Sequence, residues 1–196
     1  MTPSDDNPAL RLAVIIASTR PVRMGKPVGD WVAERARAHG GFDVDVADLA
    51  ELDLPLMNEP KHPRFGDYQH AHTKAWSDRV AAADAFVFVL PEYNHGFTAP
   101  IKNAIDYLNA EWRYKPVGFA SYGGVAGGTR AVQGLKPVLV VLKMTPLVEG
   151  VVIPFVATHV SDGVFTPTEV MEEGVDAMFD ELVRMAEVLR PLRADT

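Results

Sequence analysis

Two short apolar runs, Leu12 to Ala17 and Phe86 to Leu90, stand between polar stretches and are too short to cross a membrane. Uninterrupted apolar runs of this length are the mark of strands buried on both faces, as in the centre of a parallel sheet. Phe42, Val44 and Val46 instead alternate with Asp43, Asp45 and Ala47, which predicts a strand with one wetter face at a sheet edge. Val117 to Ser121 and Leu147 to Phe155 predict a fourth and a fifth strand. Between the strands the apolar spacing becomes helical. Val28, Trp31, Val32 and Ala36 share one side of a helix from Pro27 to His39 that Gly40 and Gly41 end. A second helix is expected near 70 to 83. A third, over 98 to 110, carries Ile101, Ala104, Ile105 and Leu108 on one face, with Thr98 as its cap and Pro100 in its first turn. From Thr168 onward, Met171, Val175, Met178, Phe179, Leu182, Ala186 and Leu189 form a last helical stripe.

Strand and helix therefore alternate five times. That order predicts an α/β fold, a doubly wound five-stranded parallel sheet with helices on both faces. The edge character of the second strand selects the flavodoxin-like strand order 2-1-3-4-5. The spacing over Thr129 to Met144 is helical but contains Gly134 and Pro137, so a kinked helix is expected there. Residues 52 to 70, with Pro55, Pro60 and Pro63, read as a long loop, and residues 1 to 9 as a disordered lead before a single domain over 10 to 196.

Composition narrows the chemistry. The chain has 196 residues, 47% hydrophobic and 23% charged, enough for one ordinary core. A formal charge of −7 argues against nucleic acid or an anionic membrane as the main partner. No cysteine is present, which excludes disulfides, thiolate nucleophiles and cysteine-ligated clusters and leaves redox chemistry to a bound cofactor. The polar, acidic start lacks the features of a secretory signal, so a cytoplasmic location is expected.

Three loops at strand ends carry the candidate chemistry. After the first strand, Ser18, Thr19 and Arg20 lead through PVRMGKP into a helix, a setting that offers hydroxyls, amides and guanidinium to a phosphate monoester. It is not a Walker A loop, because Arg20 and Pro27 stand where glycine and Ser or Thr belong, and it lacks GxGxxG. After the third strand, Pro91 to Phe97 forms a stiff Glu-Tyr-Asn-His loop, longer than a plain connection needs. After the fourth, Ser121 to Gly128 (SYGGVAGG) allows the backbone to approach a flat ligand, with Tyr122 placed to pack beside a ring. Taken singly, each loop also admits a plain reading as a connection, a solvated basic turn or a flexible turn. In the order 2-1-3-4-5 all three open on one crevice, one suited to phosphate and two to a planar polar ring, a combination that fits a phosphorylated flavin.

The segments IIASTRPVRMGKPV, LPEYNHGFTAPIKNAIDYL and KPVGFASYGGVAGGTRAV resemble those of the NADPH-dependent FMN reductase family, flavodoxin-like quinone, azo-dye and chromate reductases, over residues 11 to about 155. By that resemblance Ser18, Arg20, Gly25, Lys26, Pro27 and Val28 hold the FMN phosphate. Pro91, Glu92, Tyr93 and Asn94 line the isoalloxazine, and Ser121, Tyr122, Gly123 and Gly124 close its other side. The resemblance implies ping-pong hydride transfer from NADPH or NADH through FMN N5 to a small-molecule acceptor, a quinone, azo compound or free flavin. It also implies a homodimer or homotetramer. Relatives often carry serine and asparagine where this chain has Gly25 and Pro27, which shifts weight to Lys26 and backbone amides. No side chain is assigned as catalytic acid or base; Glu92 and His95 are expected to shape their loop.

Other chemistries fit less well. His70 and His72, two apart on a helix, would point about 200° away from each other and share no metal. Ser18 and Ser121 lie outside any GxSxG, which argues against a serine hydrolase. The alternatives kept are a flavodoxin-type electron carrier and a flavin-binding sensor module without NAD(P)H oxidation.

Overall fold

The computed structural model describes residues 9–193. Eight of the nine positions of the expected N-terminal lead lie outside the described residues. Five parallel strands, β1 (Leu10–Ile16), β2 (Phe42–Asp48), β3 (Ala85–Pro91), β4 (Pro116–Tyr122) and β5 (Thr145–Ile153), pair in the order β2-β1-β3-β4-β5. The expected topology is the observed one.

Side-chain alternation in the inner strands feeds two separate cores. Leu12 and Val14 of β1, with Val87 and Val89 of β3, pack against helices α1 (Gly25–His39) and α6 (Glu169–Leu189) on one face. Ile15, Phe86, Phe88 and Leu90 face the other side, with Trp76 from α3 (Ala71–Ala82), Ile101 and Ile105 from α4 (Ala99–Asp106) and Leu135 from α5 (Thr129–Val141). Every residue of β3 is buried, as its apolar run requires.

Several boundaries moved. A short helix α2 (Leu49–Leu52) follows β2, its start capped by the Asp48 carboxylate accepting the Ala50 amide at 3.0 Å. Helix α4 ends at Asp106, short of the expected 110, and a 3-10 turn at Ala110–Trp112 takes over to bury Trp112, whose Nε1 donates to the Ile105 carbonyl at 3.2 Å. Helix α5 carries Pro137 within it; the proline and the residue four before it, Gln133, both face solvent, where water can satisfy the carbonyl that loses its donor. A hairpin of β6 (Val160–Ser161) and β7 (Val164–Phe165) was not foreseen; it sets Phe165 5.0 Å from Trp31 and so covers α1. His70 and His72 do not point apart as two positions of one helix would, because His70 is the N-cap and lies outside the helix, and the two rings stack at 5.2 Å. Among the described residues, no group of three or more His, Asp or Glu is arranged to hold a metal, and no helix is long and apolar enough to cross a membrane.

One buried cation sits away from the strand-end loops. Lys115 Nζ donates to the Val80 and Ala81 carbonyls at 2.8 and 2.9 Å, closing the last turn of α3. Burial, reinforced by Arg193 and opposed by Asp84 and Glu111, pulls this ammonium down to about 8. Above that pH the folded chain gives up a proton that the unfolded chain keeps until about 10.4, so this group makes stability rise with pH in that window. Between pH 7.5 and 9.5, urea denaturation is expected to show the wild type gaining on the order of 1–2 kcal/mol relative to Lys115→Met. Parallel pH profiles for the two proteins would contradict this assignment.

Candidate functional site

The carboxyl ends of β1, β3 and β4 come together at the point where the chain, having wound outward to β2, returns to β3. Open α/β sheets bind ligands at this switch point. A cleft of about 290 Å³ opens there, lined from the β1 loop by Ser18, Arg20, Val22, Arg23 and Met24, from the β3 loop by Pro91, Glu92 and Tyr93, and from β4 by Tyr122 and Gly123. Val156, in the 3-10 turn after β5, supplies a wall that the sequence reading did not anticipate. A larger depression of about 400 Å³ lies on the other side of Thr19, among Leu49, Leu54, Leu56 and Asn103, but its one charged side chain is the acidic Asp53. An anion therefore suits the first cleft.

Hydrogen bonds fix the three loops against each other. The Thr98 side chain does not cap α4; its hydroxyl donates instead to the Ala17 carbonyl at 2.9 Å and ties the end of β1 to the start of that helix. Tyr93 and Gly96 exchange two backbone hydrogen bonds of 3.0 Å around Asn94 and His95, which have φ of 51° and 66°. Positive φ at both central residues is the geometry of a type I′ hairpin turn. The loop is stiff for that reason. Its far end is held by Phe97, whose ring lies 3.6 Å from the position a Cβ on Gly134 would take.

Glu92 lines the cleft but points its carboxylate at α5. Its carboxylate accepts the Arg130 backbone N–H at 3.1 Å and the Arg130 guanidinium, so one buried acid caps the helix N-terminus and anchors the helix to the β3 loop. Burial pushes this carboxyl up, but the Arg130 hydrogen bonds and charge, helped by His95, outweigh it and hold it below the usual range. The glycine-rich loop is equally tied down. Ser121 Oγ donates to the Gly127 carbonyl at 2.9 Å, and Phe155 and Val156 donate backbone N–H groups to Gly124 and Gly123 at 3.0 and 3.1 Å.

The expected site residues thus divide. Ser18, Arg20, Pro91, Glu92, Tyr93, Tyr122 and Gly123 share the cleft. Asn94 stands exposed at the turn tip, Gly124 borders open space, and the Ser121 hydroxyl is spent inside its own loop. Lys26 is turned along the helix to Asp30, at 2.5 and 2.7 Å, and Val28 is buried in the core. Pro27 sits in the first turn of α1 without an N–H to offer.

At the cleft floor, Ser18 and Tyr93 share a hydroxyl hydrogen bond of 2.9 Å, and Arg20 lies 5.9 Å from the Tyr93 ring centre without an ion pair among the described residues. Arg23, absent from the expected set, spends one end on the buried Asp48, while its Nε, and likewise the Tyr122 hydroxyl, is buried with no partner among the described residues. Burial pushes the ionisation of Tyr122 up, with the Tyr93 phenol adding to the effect and Ser18, Arg23 and Arg20 opposing it, so it stays a neutral donor.

The chain is similar to known proteins along most of its length. The family model described as NADPH-dependent FMN reductase matches residues 10–158. An NAD(P)H-dependent FMN reductase of Schizosaccharomyces pombe is 43% identical over 136 residues, covering 68% of each chain. An NADPH azoreductase of a Bacillus species is 30% identical over 156 residues, 79% of this chain and 81% of that one. Among solved structures, FerB, a flavoenzyme NAD(P)H:(acceptor) oxidoreductase of Paracoccus denitrificans, superposes with a TM-score of 0.71 at 24% identity over 91% of this chain and 98% of that one, a likeness of fold.

Proposed function

Because this chain belongs to the NADPH-dependent FMN reductase family and is an oxidoreductase that uses FMN and NAD(P)H, we propose that its three-loop cleft is the FMN site, from which a small quinone or azo compound is reduced. The observation that carries the reading is the convergence of Ser18, Arg20, Pro91, Tyr93, Tyr122 and Gly123 on one cleft at the switch point, with buried donors for which the described residues offer no partner. Such donors are costly unless a ligand meets them.

The chemistry FMN supplies when bound is acceptance of a hydride from NAD(P)H and its transfer onward. What the chain contributes is position. The type I′ turn holds Tyr93 and Pro91 at one wall, and Glu92, fixed on Arg130, keeps the glycine-rich loop and α5 at a constant distance from it. Glu92 is ionised and occupied, so it serves as a brace between the loops and not as an acid. Arg20 and Arg23, beside the N-cap Met24 of α1, give the cleft a positive end for phosphate.

The test is direct. Protein loaded with FMN is expected to lose its flavin absorbance within a stopped-flow trace on adding NADPH or NADH, and to regain it when a quinone follows. FMN that stays bound yet keeps its absorbance with both nucleotides would overturn the reading and favour an electron carrier that meets protein partners.

A further inference from the structure

The phosphate end of the cleft lacks the donors that its helix ought to provide. Helix α1 begins at Gly25 with no side-chain cap, and Pro27 removes one amide from its first turn. Val28 donates back to Met24, Lys26 is engaged with Asp30, and one end of Arg23 is engaged with Asp48. Two amides, Gly25 and Lys26, are what the first turn has left for an anion.

The Tyr122 side chain reaches the start of this helix. A Cβ on Gly25 would fall 2.6 Å from the Tyr122 hydroxyl and 3.2 Å from the Ser18 Cβ, so this phenol passes directly beneath the first residue of α1, beside Ser18. Its residue is 4% exposed, and although its hydroxyl lies near Ser18, none of the described residues meets it in hydrogen-bond geometry. Arg23, whose buried Nε also has no partner among the described residues, is another residue lining this cleft. Two buried donors without partners, on residues that line one cleft, call for a ligand group to satisfy them.

We propose that the Tyr122 hydroxyl is a phosphate-end contact, standing in for the amide that Pro27 removes, and that it makes this site discriminate flavin phosphate from riboflavin. The assignment rests on the FMN reading above and moves Tyr122 from the ring side, where its position in the sequence suggests it, to the opposite end of the ligand.

Tyr122→Phe tests it by equilibrium titration of the flavin-free protein with FMN and with riboflavin, beside thermal unfolding without ligand. A hydrogen bond to a charged group is lost for FMN alone, so its Kd is expected to rise roughly tenfold or more while that of riboflavin stays within about twofold. Unliganded Tyr122→Phe should melt at or above the wild-type temperature, because the change deletes an unsatisfied buried group. Equal losses for FMN and riboflavin would show a ring contact and overturn the assignment. Unchanged FMN binding, or an unliganded variant that melts well below wild type, would overturn it too, since the hydroxyl would then be idle or structural. Wild-type protein that binds neither flavin removes the cofactor reading itself, and this assignment with it.

Discussion

Gly128→Ala is expected to unfold well below the wild type and to retain little FMN. Gly128 has φ of 88° and is the N-cap of α5; a Cβ there would lie 2.6 Å from the Tyr122 backbone nitrogen, 2.8 Å from the Ser121 Cβ and 3.0 Å from the Tyr122 carbonyl. Two of these three are backbone atoms of β4, which have no rotamer to escape into. The left-handed conformation alone costs a residue with a side chain roughly 1–3 kcal/mol, and the overlap adds to it. A total above about 3 kcal/mol would lower the melting temperature by roughly 6–12 °C in a domain of this size. The loss should extend to the cofactor, because relieving the clash pushes the glycine-rich loop off the end of β4 and takes Gly123 with it. Gly134→Ala is the contrast. It lies inside α5, its Cβ would meet the Phe97 ring at an ordinary 3.6 Å, and it is expected to stabilise by about 0.5–1 kcal/mol through helix propensity. Thermal unfolding and flavin content of the two variants, measured together, decide the matter; a Gly128→Ala protein that melts and binds like the wild type would refute this account of the loop.

Glu92→Ala is expected to separate the two walls of the cleft. The carboxylate is 6% exposed and holds two charge-assisted contacts to Arg130, one to the backbone of α5 and one to the guanidinium. Arg130 is 44% exposed and regains water when the acid is removed, so the expected cost in stability is about 2 kcal/mol, below that of stranding a fully buried charge. Flavin affinity should fall as well, since α5 and the glycine-rich loop lose their brace to Pro91 and Tyr93. The pH dependence gives an independent readout. Arg130 holds the folded-state carboxyl below its ordinary value, so its contribution is fully present above the unfolded value of about 4.3 and is lost as pH falls through the lower folded value. In acid titrations followed by circular dichroism, Glu92→Gln should therefore differ most from wild type above that window and converge with it in stronger acid. A constant difference across the whole range would show that shape, and not charge, is what Glu92 provides.

The rigid loop after β3 divides its residues between cleft and framework. Its chemistry-bearing residue types suggested a ring-lining segment. In the folded chain Tyr93 and Pro91 do face the cleft, whereas Glu92 works as a brace to a helix that begins 37 positions later in sequence and Asn94 and His95 spend their backbone on a tight turn.

What the sequence by itself determined was every feature that depends on periodicity. Uninterrupted apolar runs marked strands covered on both faces, alternation marked the edge strand β2, and the 3.6-residue stripes marked the helices that cover the sheet; together these sufficed for the strand order and for placing three loops at one crevice. The pairing of Lys26 with Asp30 was legible too, at the i, i+4 spacing of a helix, and would have argued against giving Lys26 to phosphate. Tyr122 shows how narrow the margin is. Ending the strand at Ser121 leaves the tyrosine in a turn, free to meet a ring; one more residue of strand, as observed in β4, commits it by alternation to the face of Ala120, beneath α1 and beside Ser18. Only the tertiary structure decided the partners that lie far apart in the chain: Ser18 with Tyr93, Thr98 with Ala17, Glu92 with Arg130, and the wall formed by Val156. Periodicity records which side of an element faces inward, and each of these contacts depends instead on where two loop ends arrive after the sheet has been assembled.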